Sequence, residues 1–344
     1  MIWKRIGLKE LNLPEFKEYK NEFIPNVNGM NMKIAKTSIG RVYTKLDSYR
    51  GLGEDLEQIP QSNHNAGFEL KVDDNATISE PLLINYHLDM NNPVLIDNNL
   101  IEAGKNSILT LIFDYSSDDT IDLFHDGLTN ITVNENATLN IIKIQRLNSF
   151  SHNFDTNILN IKDNGVINLI NIELGAKITA VNYTTYLNGE NSTADLNSIY
   201  LGDGERKLDL NYAMIHKGIR SVSNIESKGA LKDNSVKVFR GNLEFLKGAR
   251  HSKGSESEYT TLLSPSVKSD SIPALMCHED DVDGNHAVSV GRIDENKLFY
   301  LQSRGLDELS AKKLIIESSF NPIIDKIPDE NLKRTILLEL ERRI

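Results

Sequence analysis

From residue 66 to residue 292 the chain alternates apolar and polar residues in short runs, and this pattern constrains the fold more than any other feature of the sequence. Clear runs are TLNIIKI at 138–144 and GVINLINI at 165–172. A period of two residues is typical of half-buried β-strands, whose successive side chains point to opposite faces. No helical periodicity is sustained across this range, which argues strongly against an alternating strand–helix fold.

Turn clusters separate the runs, for example NENA at 134–137, KDNG at 162–165 and GDGER at 202–206. Asn, Asp and Gly recur because they tolerate the left-handed backbone of tight corners. The remaining architectures are a sandwich, a barrel or a solenoid of strands. A sandwich normally stops short of this length, whereas a parallel β-helix grows by adding coils that contact only their neighbours. The sequence shows no strict repeat, so length and alternation together favour a parallel β-helix.

The two ends of the chain differ from this core. Residues 1–65 are mixed and interrupted by prolines, which predicts one or two short helices and an extended linker. Residues 294–344 show helical periodicity and cap residues. We therefore divide the chain into an N-terminal segment (1–65), a β-helix core (66–293) and a C-terminal helical module (294–344).

Three helices are predicted in the C-terminal module. Asp294 caps the first, which Gly305 ends in a left-handed conformation. Asp307 caps the second, which is expected to end near residues 321–322 because Pro322 disfavours helix in the residue before it. The third carries one apolar stripe, formed by Leu332, Ile336, Leu340 and Ile344.

The charge balance and hydropathy exclude several classes of function. The chain has 38 basic and 49 acidic residues and a net charge of −11. This balance argues against a nucleic-acid-binding surface, which needs clustered Lys and Arg. The sequence contains neither a secretion signal nor an apolar run of membrane-spanning length, so we expect a cytoplasmic protein without membrane contact.

Familiar catalytic motifs are missing from the sequence. It contains no GxxxxGK[ST] loop, so we do not expect this chain to hydrolyse a nucleotide. It also lacks GxSxG, HExxH and CxxC patterns. The single cysteine, Cys277, excludes an internal disulfide.

Possible metal ligands are densest between residues 277 and 286. They are Cys277, His278, Glu279, Asp280, Asp281, Asp283 and His286. Thiolate, imidazole and carboxylate together are able to hold zinc or iron, but an acidic loop beside a buried thiol explains the same pattern. One cysteine cannot hold an iron–sulfur cluster alone, so any such site needs a partner. His286 begins an alternating run, and from the pattern alone it is either a hydrogen-bonded strand residue or a functional one.

The C-terminal third of the sequence resembles a known family. The resemblance rests on GNL at 241–243, KSDSIPAL at 268–275, HAVSVGRID at 286–294 and LFYLQSRGL at 298–306. These stretches resemble the SufB/SufD family of the SUF iron–sulfur cluster assembly system, and in particular its SufD branch. The resemblance is strong over residues 240–320 and continuous in character from residue 66.

The resemblance implies a right-handed parallel β-helix flanked by helical segments. It also implies a non-catalytic scaffold that pairs with SufB through the edges of the two β-helices. The C-terminal helices would bind SufC, an ABC-type ATPase that supplies ATP hydrolysis. The residues we expect at that contact are Leu298, Phe299, Leu301, Leu314 and Ile315.

The family's interface histidine falls on His286. The resemblance implies that His286 takes part in assembling a transient iron–sulfur cluster shared with SufB, and it leaves open a reduced flavin on the complex. Many SufD proteins carry a cysteine two residues before that histidine, whereas this chain has Gly284. Cys277 does not align with that cysteine, so His286 would act without a neighbouring thiol at position 284.

The start of the chain also departs from the family. Trp3, Lys4 and Leu8 resemble a motif that follows an N-terminal helical region in longer SufD proteins, so this chain is expected to be a short form lacking much of that region. Two alternatives to the heteromeric scaffold remain. One is a short SufB/SufD-like scaffold that forms a homodimer with SufC bound, and the more remote one is a β-helix enzyme acting on polysaccharide.

Overall fold

The computed structural model describes residues 19, 29–34, 52, 54–118 and 121–344. Most of the predicted N-terminal segment, including Trp3, Lys4 and Leu8, lies outside the described residues. The described part of that segment contains the strand β1 (Met30–Ile34) and the helix α1 (Glu54–Ser62).

The described chain is built mainly from β-strands in two sheets that run side by side. The first sheet contains, in spatial order, β1, β2 (Phe68–Val72), β4 (Val94–Ala103), β6 (Phe124–Val133), β8 (His152–Ile161), β10 (Ile178–Leu187), β12 (Lys207–His216), β14 (Val236–Phe245) and β16 (Lys268–Ser271), and β17 (Ala274–Cys277) also pairs with β14. The second contains β3 (Leu82–Leu88), β5 (Ile108–Ser117), β7 (Thr138–Arg146), β9 (Val166–Glu173), β11 (Thr193–Gly202), β13 (Val222–Leu231), β15 (Ser252–Leu262) and β18 (Val282–Arg292).

From β2 to β16 successive strands alternate between the two sheets, so each of these coils contributes once to each sheet. Every pairing between consecutive coils is parallel and in continuous register, while β1 pairs with β2 in the antiparallel sense. The predicted parallel β-helix is therefore confirmed. Residues of alternate positions face the inside of the coil stack, which we call the lumen, and the others face outward.

One corner of the coils is held by a ladder of asparagines. The ladder residues Asn75, Asn106, Asn136, Asn164 and Asn191 have φ angles from +54° to +63°. Their amides bond along the stack: Asn106 Nδ2 donates to Asn75 Oδ1 at 2.8 Å and Asn191 Nδ2 donates to Asn164 Oδ1 at 3.0 Å. Asn is favoured here because it adopts the left-handed conformation and also bonds the next coil.

The lumen contains an apolar core and a buried polar column. Leu139, Leu169 and Leu196 are among its fully buried apolar residues. Several of the polar residues are paired inside it: His125 contacts Asp97 Oδ1 at 2.7 Å, and Lys143 Nζ lies 3.0 Å from both carboxylate oxygens of Asp155. Because pairing lowers the cost of burying a charge, these contacts explain how these side chains occupy the interior.

Three helices follow β18, as the sequence predicts: α2 (Glu295–Ser303), α3 (Glu308–Ile324) and α4 (Glu330–Arg343). Asp294 and Asp307 cap α2 and α3 through backbone N–H groups, and Gly305 has a φ of +97°. The caps and the glycine stop are therefore confirmed.

The predicted end of the second helix near residues 321–322 is wrong. Helix α3 continues through Pro322 to Ile324, and the backbone N–H of Asp325 donates to Asn321 O at 2.8 Å. Phe320, Ile323 and Ile324 are buried against the outer face of the second sheet. Packing of this last turn outweighs the local preference of the residue before proline.

Helices α3 and α4 cover the outer face of the second sheet. The predicted stripe of α4 is buried there, with Leu332, Ile336, Leu340 and Ile344 each at most 8% exposed. Arg343 adds an ion pair with Asp203, 2.5 Å from Nη2 to Oδ1, so α4 is fixed to the corner of a coil. Among the described residues, no helix is long and apolar enough to cross a membrane.

The buried His216 makes the stability of the coil stack sensitive to acid. His216 on β12 lies between the hydroxyls of Ser221 (2.7 Å) and Ser223 (2.8 Å) and stacks on Phe245. Burial lowers its pKa from 6.5 to about 4. Between pH 6.5 and pH 4 the unfolded chain therefore binds a proton at this histidine and the folded chain does not. The free energy of unfolding falls as the pH drops across this interval.

We expect this group to remove about 3 kcal/mol of the free energy of unfolding across that interval, at about 1.36 kcal/mol per pH unit. The measurement is urea unfolding at pH 7 and pH 4.5 for the native chain and for His216→Gln, which keeps hydrogen-bonding capacity without the titration. The variant should lose clearly less stability in acid. Equal losses in the two proteins would show that His216 is not the acid-sensitive group.

Candidate functional site

The last coil leaves one end of the β-helix open in the described part of the chain. Its strands are β16, β17 and β18, and β18 is the terminal strand of the second sheet, paired with β15 alone. Val288 and Val290 on β18 are 39% and 41% exposed. A terminal strand presents unpaired N–H and C=O groups along its free edge, which is the usual template for pairing with another chain.

His286 lies on this terminal strand, at the mouth of the lumen. Two residues earlier, Gly284 faces inward: a Cβ at this position would lie 2.7 Å from Leu275 Cδ1 and 3.1 Å from Phe245 Cε2. Because side chains alternate along a strand, His286 points to the same lumen side as Gly284. No further coil covers it in the described chain, and His286 is exposed.

The side chain of Leu275 occupies the space beside Gly284. A larger residue at position 284 would require Leu275 to move. The residues around position 284 therefore accommodate glycine without rearrangement, and no thiol lies two residues before His286.

Glu256 lies directly beneath His286 in the stack. The two residues are opposite each other in the parallel register of β15 and β18. Glu256 is 2% exposed, and its Oε1 has no hydrogen-bond partner among the residues that the structure describes. Burial, reinforced by the charge of Glu258, raises the pKa of Glu256 to about 7. A titratable carboxyl thus lies one strand away from the candidate imidazole.

Glu258, two residues further along β15, belongs to a buried network. Its Oε1 accepts hydrogen bonds from Lys237 Nζ at 2.5 Å and from the hydroxyl of Tyr200 at 2.9 Å. Burial is the main cause that lowers the pKa of Lys237, and the carboxylate opposes it. This pair neutralises the charge of Glu258 within the lumen, so Glu258 already has its cation and Glu256 does not.

The other predicted ligands between residues 277 and 286 point to separate partners. Cys277 is exposed at the end of β17, and His278 Nε2 lies 3.7 Å from Glu244 Oε1. Glu279 accepts the backbone N–H of Gly248 at 3.0 Å. No three His, Cys, Asp or Glu residues in the described ranges are arranged to enclose a metal ion.

A second surface lies on α2 and α3, immediately after β18. Helix α2 buries none of its residues. Phe299 is 71% exposed and Leu314 is 45% exposed. The other three predicted contact residues, Leu298, Leu301 and Ile315, are half-buried. These helices therefore present apolar side chains that the described part of the chain does not cover.

Sequence reasoning missed several residues of these two surfaces. Tyr300 and Leu309 are 58% and 55% exposed beside the predicted contact residues, and large exposed apolar side chains in a helical pattern are a usable signal. Glu256 and Lys237 were also missed. Their relation to His286 depends on which residues of successive coils lie opposite each other, and alternation along a single strand does not reveal that.

Comparison with known proteins gives a consistent assignment. Residues 86–319 match the family described as "SUF system FeS cluster assembly, SufBD core domain". The chain is 28% identical over 286 residues to the iron–sulfur cluster assembly protein SufD of Bacillus subtilis, which covers 81% of this chain and 64% of that protein. It is 30% identical over 215 residues to SufD of Escherichia coli, covering 62% of this chain and 51% of that protein.

A SufBD family protein of Mycobacterium leprae is 29% identical over 224 residues, which are 64% of this chain and 26% of that protein. The chain thus spans between about a quarter and two thirds of the length of these relatives. The family match covers most of the β-helix, helix α2 and most of α3. The chain belongs to the SufBD family of the SUF system of iron–sulfur cluster assembly, and it is similar to the SufD members of that family.

Proposed function

We propose that this chain is a non-catalytic scaffold subunit of a cytoplasmic SUF complex. It pairs with a SufB-type scaffold through the open end of its β-helix and binds a SufC-type ABC ATPase through its C-terminal helices. The proposal rests on family membership together with one observation: the terminal strand β18 combines an unpaired edge with an exposed histidine.

The open edge of β18 supports pairing with another β-helix. An exposed strand edge carrying Val288 and Val290 is an aggregation hazard in a protein that functions alone, so a partner that covers it removes this hazard. A second copy of this chain offers the same edge, which keeps the homodimeric scaffold as the alternative. Light scattering of the chain mixed with the ATPase alone would separate the two, because only the alternative gives a symmetric self-paired complex.

The ATPase contact is assigned to α2 and α3. Phe299 and Leu314 are exposed, and the half-buried Leu298, Leu301 and Ile315 lie on the same two helices. Apolar residues on adjacent helices form the kind of surface that a partner buries at the centre of an interface. In this division of the chain, residues 66–293 form the β-helix core that pairs with the SufB-type scaffold. Residues 294–344 form the helical module that binds the ATPase.

His286 is assigned to cluster assembly at the interface. A neutral imidazole is a good ligand for iron, and the described residues supply no complete ligand set around it. In this proposal the transient cluster is shared with the SufB-type partner, because a chain with a single cysteine cannot hold an iron–sulfur cluster alone. A reduced flavin on the complex remains part of the proposal without an assigned site.

We expect His286→Ala to lower the rate of cluster assembly by tenfold or more in a complex reconstituted with the scaffold and the ATPase. The side chain is exposed, so its removal should leave the fold and the complex intact. Absorbance of the forming cluster measures the rate, and circular dichroism with light scattering checks folding and assembly. The control is His251→Asn, a change at another exposed histidine, where asparagine tolerates the φ of +60°. An unchanged assembly rate for His286→Ala would remove His286 from the mechanism.

For the ATPase contact, we expect Leu314→Glu to weaken binding of the ATPase by tenfold or more, because a charge would be buried in an apolar interface. Leu314 is 45% exposed, so the charge does not enter the core of this chain. Leu338→Glu on α4 is a matched control at a residue 55% exposed. Calorimetric titration of the ATPase provides the affinities. Equal affinities for the native chain and a folded Leu314→Glu variant would contradict the assignment.

A further inference from the structure

The carboxyl of Glu256 is a polar group whose surroundings do not explain it. It is 2% exposed, and its Oε1 has no hydrogen-bond partner among the described residues. Burying a polar atom without a partner is unfavourable, because the atom loses its bonds to water and gains none in exchange. Such a group calls for an explanation, for example a contact that it makes in another state of the protein or a functional role.

The neighbouring residues make room for this carboxyl. A Cβ at Gly241 on β14 would lie 2.5 Å from Glu256 Cδ and 2.6 Å from its Oε1. Glycine at position 241 is therefore what allows Glu256 to occupy this place in the lumen. The side chain is accommodated by its surroundings even though its oxygen is unpaired.

The nearby lysine and tyrosine are already engaged. Lys237 Nζ contacts Glu258 Oε1 at 2.5 Å and also Ser271 Oγ at 3.0 Å. The hydroxyl of Tyr200 bonds Glu258 and lies 2.6 Å from Thr260 Oγ1. The group directly opposite Glu256 on the neighbouring strand is His286. Strands in a sheet lie about 4.8 Å apart, so an imidazole on β18 reaches a carboxyl on β15 when both side chains lie on the lumen side.

We propose that Glu256 is the positioning residue for His286, accepting a hydrogen bond from one ring nitrogen of the imidazole so that the other nitrogen faces the open end of the β-helix. The inference rests on the proposed function for the role of His286. It assigns a role to a second residue of this chain, which orients the imidazole before an iron atom or another cation binds to it.

The chemistry of metal-binding histidines explains why such a carboxyl is useful. A histidine that donates one ring N–H to a carboxylate is fixed in one tautomer and orientation, and its other nitrogen becomes more basic. His286 stands on an exposed terminal strand, where no other described contact fixes its ring. Glu256 lies on the strand beneath, and its buried side chain fixes the orientation of the imidazole on the exposed strand.

The test measures the tautomer of His286 in the isolated full chain. Long-range proton–nitrogen correlation spectra of protein labelled with nitrogen-15 histidine show which ring nitrogen carries the proton, at a pH where the ring is neutral. The signal of His286 is identified by its absence in His286→Ala. Glu256→Met removes the acceptor while keeping the side-chain volume, and Glu256→Gln keeps an acceptor oxygen.

We expect the native chain to show one dominant tautomer of His286. Glu256→Met should change the tautomer ratio by about tenfold, which is the effect of losing one hydrogen bond, and Glu256→Gln should retain most of the native ratio. Glu226→Met is the control, since Glu226 on β13 is paired with Lys228 at 3.0 Å and is partly exposed. An unchanged ratio in Glu256→Met would overturn the proposal.

A purely structural role for Glu256 predicts a different result. If Glu256 supports only the fold, Glu256→Met should lower urea stability and leave the tautomer ratio of His286 unchanged. If Glu256 positions His286, the variant loses one hydrogen bond to an exposed imidazole and no longer buries a carboxyl, so urea stability should stay close to that of the native chain. If Glu256→Met lowers cluster assembly while stability is retained and the tautomer ratio changes, the positioning role is supported. If assembly falls only together with stability, the role is structural and the proposal fails. Because the tautomer is read without partners, its outcome is independent of whether His286→Ala affects assembly.

Discussion

The parallel hydrogen-bond ladder between successive coils determines the rest of this structure. Each coil satisfies the backbone groups of the coil beneath it, so the stack is stable wherever a neighbour is present. The same rule leaves the last strand, β18, with one unpaired edge in the described chain. The place where the fold lacks a neighbour is also the place where the exposed His286 lies. The candidate site is thus a direct consequence of how a solenoid ends.

The register that builds the stack also connects the buried interior with the open end. Glu258 and Lys237 form a buried ion pair one coil below the surface, and Glu256 beside them lacks such a partner. His286 stands opposite Glu256, and α2 begins three residues after β18 ends. In the proposed scaffold, the surface that meets the second β-helix and the surface that meets the ATPase are therefore joined by a very short piece of chain. Because this connection is short, a movement of the helices would shift the strand that carries His286.

The sequence predicted the parts of this structure that depend on local patterns. Alternation predicted the strands, Asp294 and Asp307 predicted two helix starts, and the spacing of Leu332, Ile336 and Leu340 predicted the buried face of α4. The repeat was not found because the coils differ in length: the ladder asparagines, such as Asn75, Asn106 and Asn136, are separated by unequal numbers of residues. That inequality also hid the pairing of Glu256 with His286, which is fixed by three-dimensional register and not by spacing. The end of α3 was misjudged because the packing of Phe320 and Ile324 on the sheet outweighs a local rule about Pro322.

The central claim is that the free edge of β18 is the surface that pairs with the partner scaffold. Amide hydrogen exchange of this chain, followed by mass spectrometry with and without a SufB-type scaffold, tests it directly. About every second amide of a terminal strand faces the open side, so pairing should slow the exchange of residues 282–292 while the buried strand β9 stays unchanged. Unchanged exchange across residues 282–292, in a mixture where light scattering shows that the complex has formed, would contradict the claim.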